Sequence, residues 1–120
     1  RPLDRLAHRL GAALMAGVRD RIDSRVFDLD DGFPADWASS CALVICQRFR
    51  DPDLYEQLVY MLQPGGVLVI TVLSSVGLVG EPGPFHAPPG DLVCAFRQFD
   101  VEVLRSVELD GEATLVARRR

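Results

Sequence analysis

The chain has 120 residues, 48% hydrophobic and 25% charged, with a net charge of −4 and a pI near 5.0. These values fit one domain and exclude wholesale disorder or a collagen-like chain. The acidic balance argues against a bulk electrostatic grip on a phosphate backbone, so nucleic acid is not an expected partner.

Other whole-chain features narrow the setting. The longest apolar stretch, residues 65–80, is broken by Thr71, Ser74, Ser75 and four glycines. A spanning helix needs about 20 mainly apolar residues, so no membrane span is expected. The opening Arg-Pro-Leu-Asp-Arg-Leu holds no apolar signal core. A chain starting at Arg1, without an initiator Met, is expected to begin at a cut end. Residues 1–25 carry a net +3 and the remainder −7, which reads as a solvated basic helix face. All 13 basic residues are Arg, with no Lys and no Asn, a composition that points to a GC-rich bacterial genome. Cys41, Cys46 and Cys94 are odd in number and lack CxxC spacing, so neither a disulfide framework nor a zinc site is expected. They read as small core hydrophobes in a reducing, cytoplasmic compartment.

In chain order, Leu3, Leu6, Leu10 and Leu14 mark one apolar face and predict a helix over 2–17, with Pro2 in its first turn. Arg25-Val-Phe-Asp-Leu29 predicts a short strand, and Asp30 to Pro34 a turn. Phe33 and Trp37 read as core or lid. Cys41 to Cys46 is a continuous apolar run, as expected of a strand buried on both faces of a parallel sheet. Asp51-Pro52 opens a helix with Asp51 as N-cap, and Gln63-Pro-Gly-Gly66 ends it. Val67 to Val72 predicts a second buried strand, 74–89 a loop, and Asp91 to Gln98 a short helix. Phe99 to Leu109 alternates as a half-exposed strand. Asp110-Gly111 turns it back into a last strand, Ala113 to Arg118. This order predicts an α/β domain of three αβα layers, with a mainly parallel sheet ending in an antiparallel hairpin.

The stretch from Cys41 to Ser74 is where the sequence becomes specific. A buried strand, a polar turn, a helix ending in Met61-Leu-Gln-Pro-Gly-Gly66 and the run Val67-Leu-Val-Ile-Thr71 follow one another. Pro64 prevents the helix from continuing, and Gly65-Gly66 allow dihedrals that a β-carbon would forbid. This series resembles the second half of a class I S-adenosylmethionine (SAM)-dependent methyltransferase of Rossmann-like fold. Arg25-Val-Phe-Asp28-Leu29 is similar to that superfamily's third strand, and residues 97–118 to its closing strand–turn–strand. The entry Phe85-His-Ala-Pro-Pro-Gly-Asp-Leu92 is most similar to the tellurite-resistance-type (TehB-like) small methyltransferases. The resemblance implies a sheet order of 3-2-1-4-5-7-6.

One departure matters. Gly11 and Gly17 do not form the Gly-x-Gly of the superfamily's SAM loop, and the carboxylate that takes the ribose hydroxyls has no counterpart. The N-terminal strands are missing, so residues 1–120 read as a single, incomplete domain that binds SAM weakly or not at all by itself. A bare central edge would result. It is expected to be met by an upstream half, by a second chain such as a homodimer partner, or by strand 25–29 pairing onto strand 41–46.

The resemblance also names candidate residues. Asp28 would accept from the adenine amino group, with Leu29 donating its backbone N–H; alternatively Asp28 caps the turn into Gly32. Gln47, Arg48 and Phe49 would face the methyl group and the substrate, with an Arg holding an anionic substrate and Phe49 stacking on the cofactor. Arg48 and Arg50 also read as solvated partners of Asp51 and Asp53. Thr71 and Ser74 lie at the carboxyl edge of the sheet, where ligands of such folds bind. His86 sits in the long loop, as a general base or simply exposed. No catalytic residue is assigned and no metal-ligand cluster occurs. The implied function is methyl transfer from SAM to an unidentified acceptor, most readily a small molecule. The alternatives are a degenerate interaction or dimerisation module, or a binding domain of another doubly wound family.

Overall fold

The computed structural model describes residues 21–23, 25–26 and 28–120. They belong to two compact units, 1–31 and 32–120. The helix predicted over 2–17 lies outside the described residues. In the first unit the strand predicted over 25–29 does not appear. Residues 25, 26 and 28 carry no regular structure, and Leu29–Asp31 is a 3-10 turn. The Asp28 carboxylate accepts the Asp30 N–H at 2.9 Å, and the Asp28 carbonyl accepts the Asp31 N–H at 3.1 Å. Local closure of this kind competes with a strand ladder and here prevails over the apolar residues before it.

The second unit is built on a four-stranded sheet. Its elements run β1 (Cys41–Gln47), α1 (Tyr55–Met61), β2 (Leu62–Leu73), α2 (Asp91–Arg97), β3 (Val101–Leu109) and β4 (Glu112–Arg119). The strands lie in the order β1-β2-β4-β3. β1 is parallel to β2, and β4 is antiparallel to both β2 and β3. This is the 4-5-7-6 portion of the order expected from the sequence. A 3-10 turn, Pro52–Leu54, leads into α1, and the Asp51 carboxylate caps it by accepting the Asp53 N–H at 3.2 Å. Asp110 and Gly111 both take positive φ, 52° and 81°, the turn that matches the twist of a two-residue hairpin.

The Pro-Gly-Gly segment sits inside β2 as an irregularity. Leu62 pairs with Cys41, and regular pairing resumes only at Leu43 with Val67. Gly65 takes a φ of 82°, and a β-carbon on Gly66 would lie 2.8 Å from the Cys41 carbonyl oxygen. The glycines are therefore required, one for its dihedral and one for close backbone approach.

Both helices pack on one face of the sheet. Tyr55 of α1 and Phe96 of α2 meet with ring centroids 4.6 Å apart, over Leu62, Leu68, Ile70 and Val72 of β2 and Leu115 of β4. The reason is topological. The crossovers from β1 to β2 and from β2 to β3 advance in the same direction across the sheet, and right-handed crossovers then fall on the same side. The described residues thus build two layers of the three expected. As a consequence, the prediction that Cys41–Cys46 is buried on both faces is corrected. Only Val44 is buried, while Leu43 and Ile45 are 54% and 58% exposed. Among the described residues no strand pairs with the outer edge of β1. The described residues of 25–29 form no strand, so the expected pairing of a strand there onto β1 is not found among the described residues.

Cys94 is exposed on α2, not a core residue as expected, since Leu92 and Phe96 take the inward positions there. Cys41 and Cys46 are half-buried against the core, and burial pushes the Cys46 thiol pKa up. Phe33 and Trp37 also pack against the core, their ring centroids 6.2 Å apart.

Candidate functional site

The carboxyl ends of β1 and β2 lie side by side, Gln47 opposite Thr71. The chain leaves β1 through Arg48, a non-glycine residue with a φ of 54°. The Arg48 N–H donates to the Thr71 carbonyl at 2.8 Å and to Thr71 Oγ1 at 3.3 Å. This clamp ties the turn to β2 and holds a conformation that L-residues adopt at a cost. Arg48, Phe49, Arg50, Leu73 and Phe85 line a pocket of about 350 Å³, at the low end of the size of small-molecule sites.

The two arginines are paired differently from the sequence-based alternative, which gave them Asp51 and Asp53. Arg48 reaches the Glu112 carboxylate at 2.8 Å, with side chains 72% and 40% exposed. Arg50 donates to Asp91 at 3.0 Å, with side chains 26% and 35% exposed. Asp51 is instead committed to its capping bond. Glu112 and Asp91 become available because β4 lies beside β2 and α2 begins close to the β1 turn. The Arg50 Nε and the Tyr55 hydroxyl are buried without a hydrogen-bond partner among the described residues. Burial pushes the Tyr55 pKa up to about 12, with the Arg50 cation opposing and the Asp91 carboxylate adding to the rise.

The other predicted residues have varied placements. Gln47 is exposed at the end of β1. Thr71 acts through its bonds to the Arg48 backbone. Ser74 is fully buried: its Oγ accepts the Val76 N–H at 3.1 Å, and its N–H donates to the Gly111 carbonyl at 2.8 Å. It anchors the long loop, which returns to form an isolated bridge between Ser74 and Ala87. His86 Nδ1 accepts the Gly83 N–H at 2.8 Å, and the His86 N–H donates to the Gly83 carbonyl at 3.2 Å, closing a tight turn. Its neighbour Phe85 is the loop residue that reaches the pocket. Asp28 and Leu29 belong to the other unit. Sequence reasoning missed Arg50 and Phe85 as lining residues and Glu112 as the partner of Arg48. An aromatic in a Pro- and Gly-rich loop was the one available signal for Phe85.

A larger cavity, about 430 Å³, lies between Glu56, Val59, Tyr60, Gln98, Phe99, Asp100 and Arg119, at the amino ends of β2 and β3. Its cation is already engaged. Arg119 donates to the Ser39 hydroxyl at 3.1 Å and to the Leu62 carbonyl, and lies 5.3 Å from the centre of the Tyr60 ring. Ligands of open α/β sheets bind at the opposite, carboxyl end of the strands, which favours the Arg48 pocket. Among the described residues no group of three His, Cys, Asp or Glu could hold a metal ion. No described helix is long and apolar enough to cross a membrane.

Comparison with solved structures gives the fold a wider frame. The chain is similar to the [4+2]-cyclase SpnF, with a TM-score of 0.68, 14% identity, and coverage of 91% of this chain and 60% of that one. It is similar to the pyocyanin biosynthetic protein PhzM, with a TM-score of 0.59, 18% identity and coverage of 91% and 38%. It is also similar to the antibiotic-resistance methyltransferase Kmr, with a TM-score of 0.53, 19% identity and coverage of 79% and 57%. The chain thus spans three fifths or less of the length of each of these proteins. No family model and no curated protein sequence matches it. The fold is a methyltransferase-like α/β fold with a mixed sheet.

Proposed function

We propose that this chain forms the acceptor-side part of a SAM-dependent methyltransferase and holds a small-molecule acceptor at the carboxyl ends of β1 and β2. The observation that carries the reading is the Arg48–Phe49 turn, clamped to Thr71, forming a pocket at the edge of a 4-5-7-6 sheet. SAM, when bound, supplies an activated methyl group on a sulfonium. Its transfer is an in-line displacement, so the work left to the protein is chiefly to position the acceptor.

The lining of the pocket does not fit the cofactor itself. Its charged residues, Arg48 and Arg50, are paired with Glu112 and Asp91, and none of the described lining residues is a carboxylate. A sulfonium would meet two guanidinium groups there and no carboxylate of the described lining. The pocket fits the acceptor, and SAM is not assigned to it; by resemblance alone Asp28 and Leu29 would contact the adenine. This supports the expectation that the chain alone binds SAM weakly or not at all. By resemblance, Gln47 and Phe49 are the residues given the role of facing the methyl group. If His86 moves a proton, Nε2 is the atom for it, since Nδ1 already accepts the Gly83 N–H. The tellurite-resistance-type subfamily and a cytoplasmic setting belong to the same proposal.

The test is binding of radiolabelled SAM by the polypeptide as its source produces it, with intact mass measured on the same sample. Saturable SAM binding by that polypeptide is the expected result. Absence of binding to that native polypeptide would defeat the methyl-transfer reading. One observation favours a second reading, an interaction or dimerisation module. The β1 strand presents Leu43 and Ile45 to solvent beside an edge that no strand pairs with among the described residues. Concentration-dependent self-association without SAM binding would select it.

A further inference from the structure

We infer that the Arg48 pocket selects a planar aromatic carboxylate, with Arg48 leaving Glu112 to take the ligand's carboxylate and the Phe49 and Phe85 side chains receiving its ring. This inference rests on the acceptor-side reading above and names the class of acceptor.

Four observations converge on it. The charged residues of the described lining, Arg48 and Arg50, are both guanidinium groups, each paired with a carboxylate outside the lining, so an anion enters by exchange with one of those partners. Its apolar lining is two phenyl rings and Leu73, which suits a flat apolar body. Arg48 has a weak, exposed partner in Glu112, so exchange for a ligand carboxylate forfeits little. A guanidinium matches a carboxylate in a bidentate fork, which a neutral group of the same shape cannot use. The backbone supplies a further argument. Arg48 holds a φ of 54°, where glycine would sit without strain, and it is clamped there by two bonds to Thr71. The exposed pair with Glu112 offsets little of that strain, whereas an anion-binding arm gives an arginine a use at that position. Arg50 has a different role. It stays on Asp91, the less exposed pair, and frames the pocket wall without exchanging partners.

The experiment is equilibrium binding of naphthoate to the 120-residue chain, with naphthalenemethanol as the neutral counterpart, both without SAM. Naphthoate is expected to bind about tenfold or more tightly than the alcohol, with the difference shrinking as salt is added. Arg48→Gln should weaken naphthoate about tenfold and leave the alcohol unchanged. Arg48→Lys should restore part of the affinity. Glu112→Gln should tighten naphthoate by freeing Arg48, a change of sign that a purely structural role for the pair does not produce. Circular dichroism and thermal melts establish that each variant is folded. Equal affinity for acid and alcohol, or naphthoate binding insensitive to both Arg48→Gln and Glu112→Gln, would overturn the inference. Because the assay omits SAM, it can fail while methyl transfer stands. Conversely, loss of methyl transfer with naphthoate binding retained counts only against the functional reading.

Discussion

An L-residue in the left-handed region costs about 1–2 kcal/mol, and Arg48 bears that cost at the mouth of the pocket. Replacing it with glycine relieves the strain but adds unfolded-state entropy worth about 0.4–1 kcal/mol and removes an exposed ion pair worth about 0–1 kcal/mol. The terms nearly cancel, so Arg48→Gly is expected to stay within about 1 kcal/mol of the parent in urea unfolding. A larger loss would show that the side chain is structural. Tyr55 is the second residue of interest. Its ring is buried against Phe96 while its hydroxyl lacks a partner, so Tyr55→Phe should stabilise the chain by about 1 kcal/mol near neutral pH. Burial raises its pKa from 10.0 to about 12. Below pH 10 the phenol is protonated whether folded or unfolded, and its contribution is fully present. Above that the unfolded chain releases the proton first, so stability falls as pH rises toward about 12, by about 2–3 kcal/mol from this group. Denaturant titrations between pH 9 and 12 should show that slope, and Tyr55→Phe should flatten it.

At the scale of elements, the junction between α1 and β2 is the most demanding piece of the chain. Two adjacent glycines serve it for different reasons, and their alanine variants should separate those reasons. Gly65→Ala meets no neighbour within 4 Å but must hold a φ of 82°, which costs about 1–2 kcal/mol. Gly66→Ala drives a β-carbon to 2.8 Å from the Cys41 carbonyl and 2.9 Å from the Gln63 carbonyl. Backbone has to move, the β1–β2 pairing is disturbed, and a loss of about 1–3 kcal/mol or more is expected. Urea midpoints of both variants, with Gly66→Ala the lower, are the check. The long loop is held by elements too. Ser74 and Ala87 bridge its two ends, which is how Phe85 comes to line a pocket formed by residues 48–50.

For the whole molecule, the decisive fact is asymmetry between the two faces of the sheet. One face carries both described helices and the core, and the other presents Leu43 and Ile45. Substituting both with glutamate removes apolar surface that is already in water, so stability should change by no more than about 0.5 kcal/mol per site. Any self-association through this face should fall, as sedimentation velocity of parent and double variant would reveal. A parent that stays monomeric at high concentration would leave the module reading without support.

Much of this architecture was legible in residues alone. Asp51-Pro52 opened a helix and Asp110-Gly111 turned a hairpin, because caps and positive φ are local requirements, whereas the helix ends at Met61 and Pro64-Gly65-Gly66, expected to end it, lies inside β2. The fold class followed from the order of apolar runs. Tertiary structure decided the rest. It put both helices on one face, since crossover direction is not written in any segment, and so exposed one side of a strand whose composition implied two buried faces. It gave Arg48 and Arg50 their partners in Glu112 and Asp91, residues far along the chain that only β4 and α2 bring near. The described residues of 25–29 form no strand for a local reason, since Asp28 closes a turn onto Asp30 and Asp31. Local geometry is a property of a few adjacent residues, whereas pairing, burial and electrostatic partners arise only when distant segments are brought together.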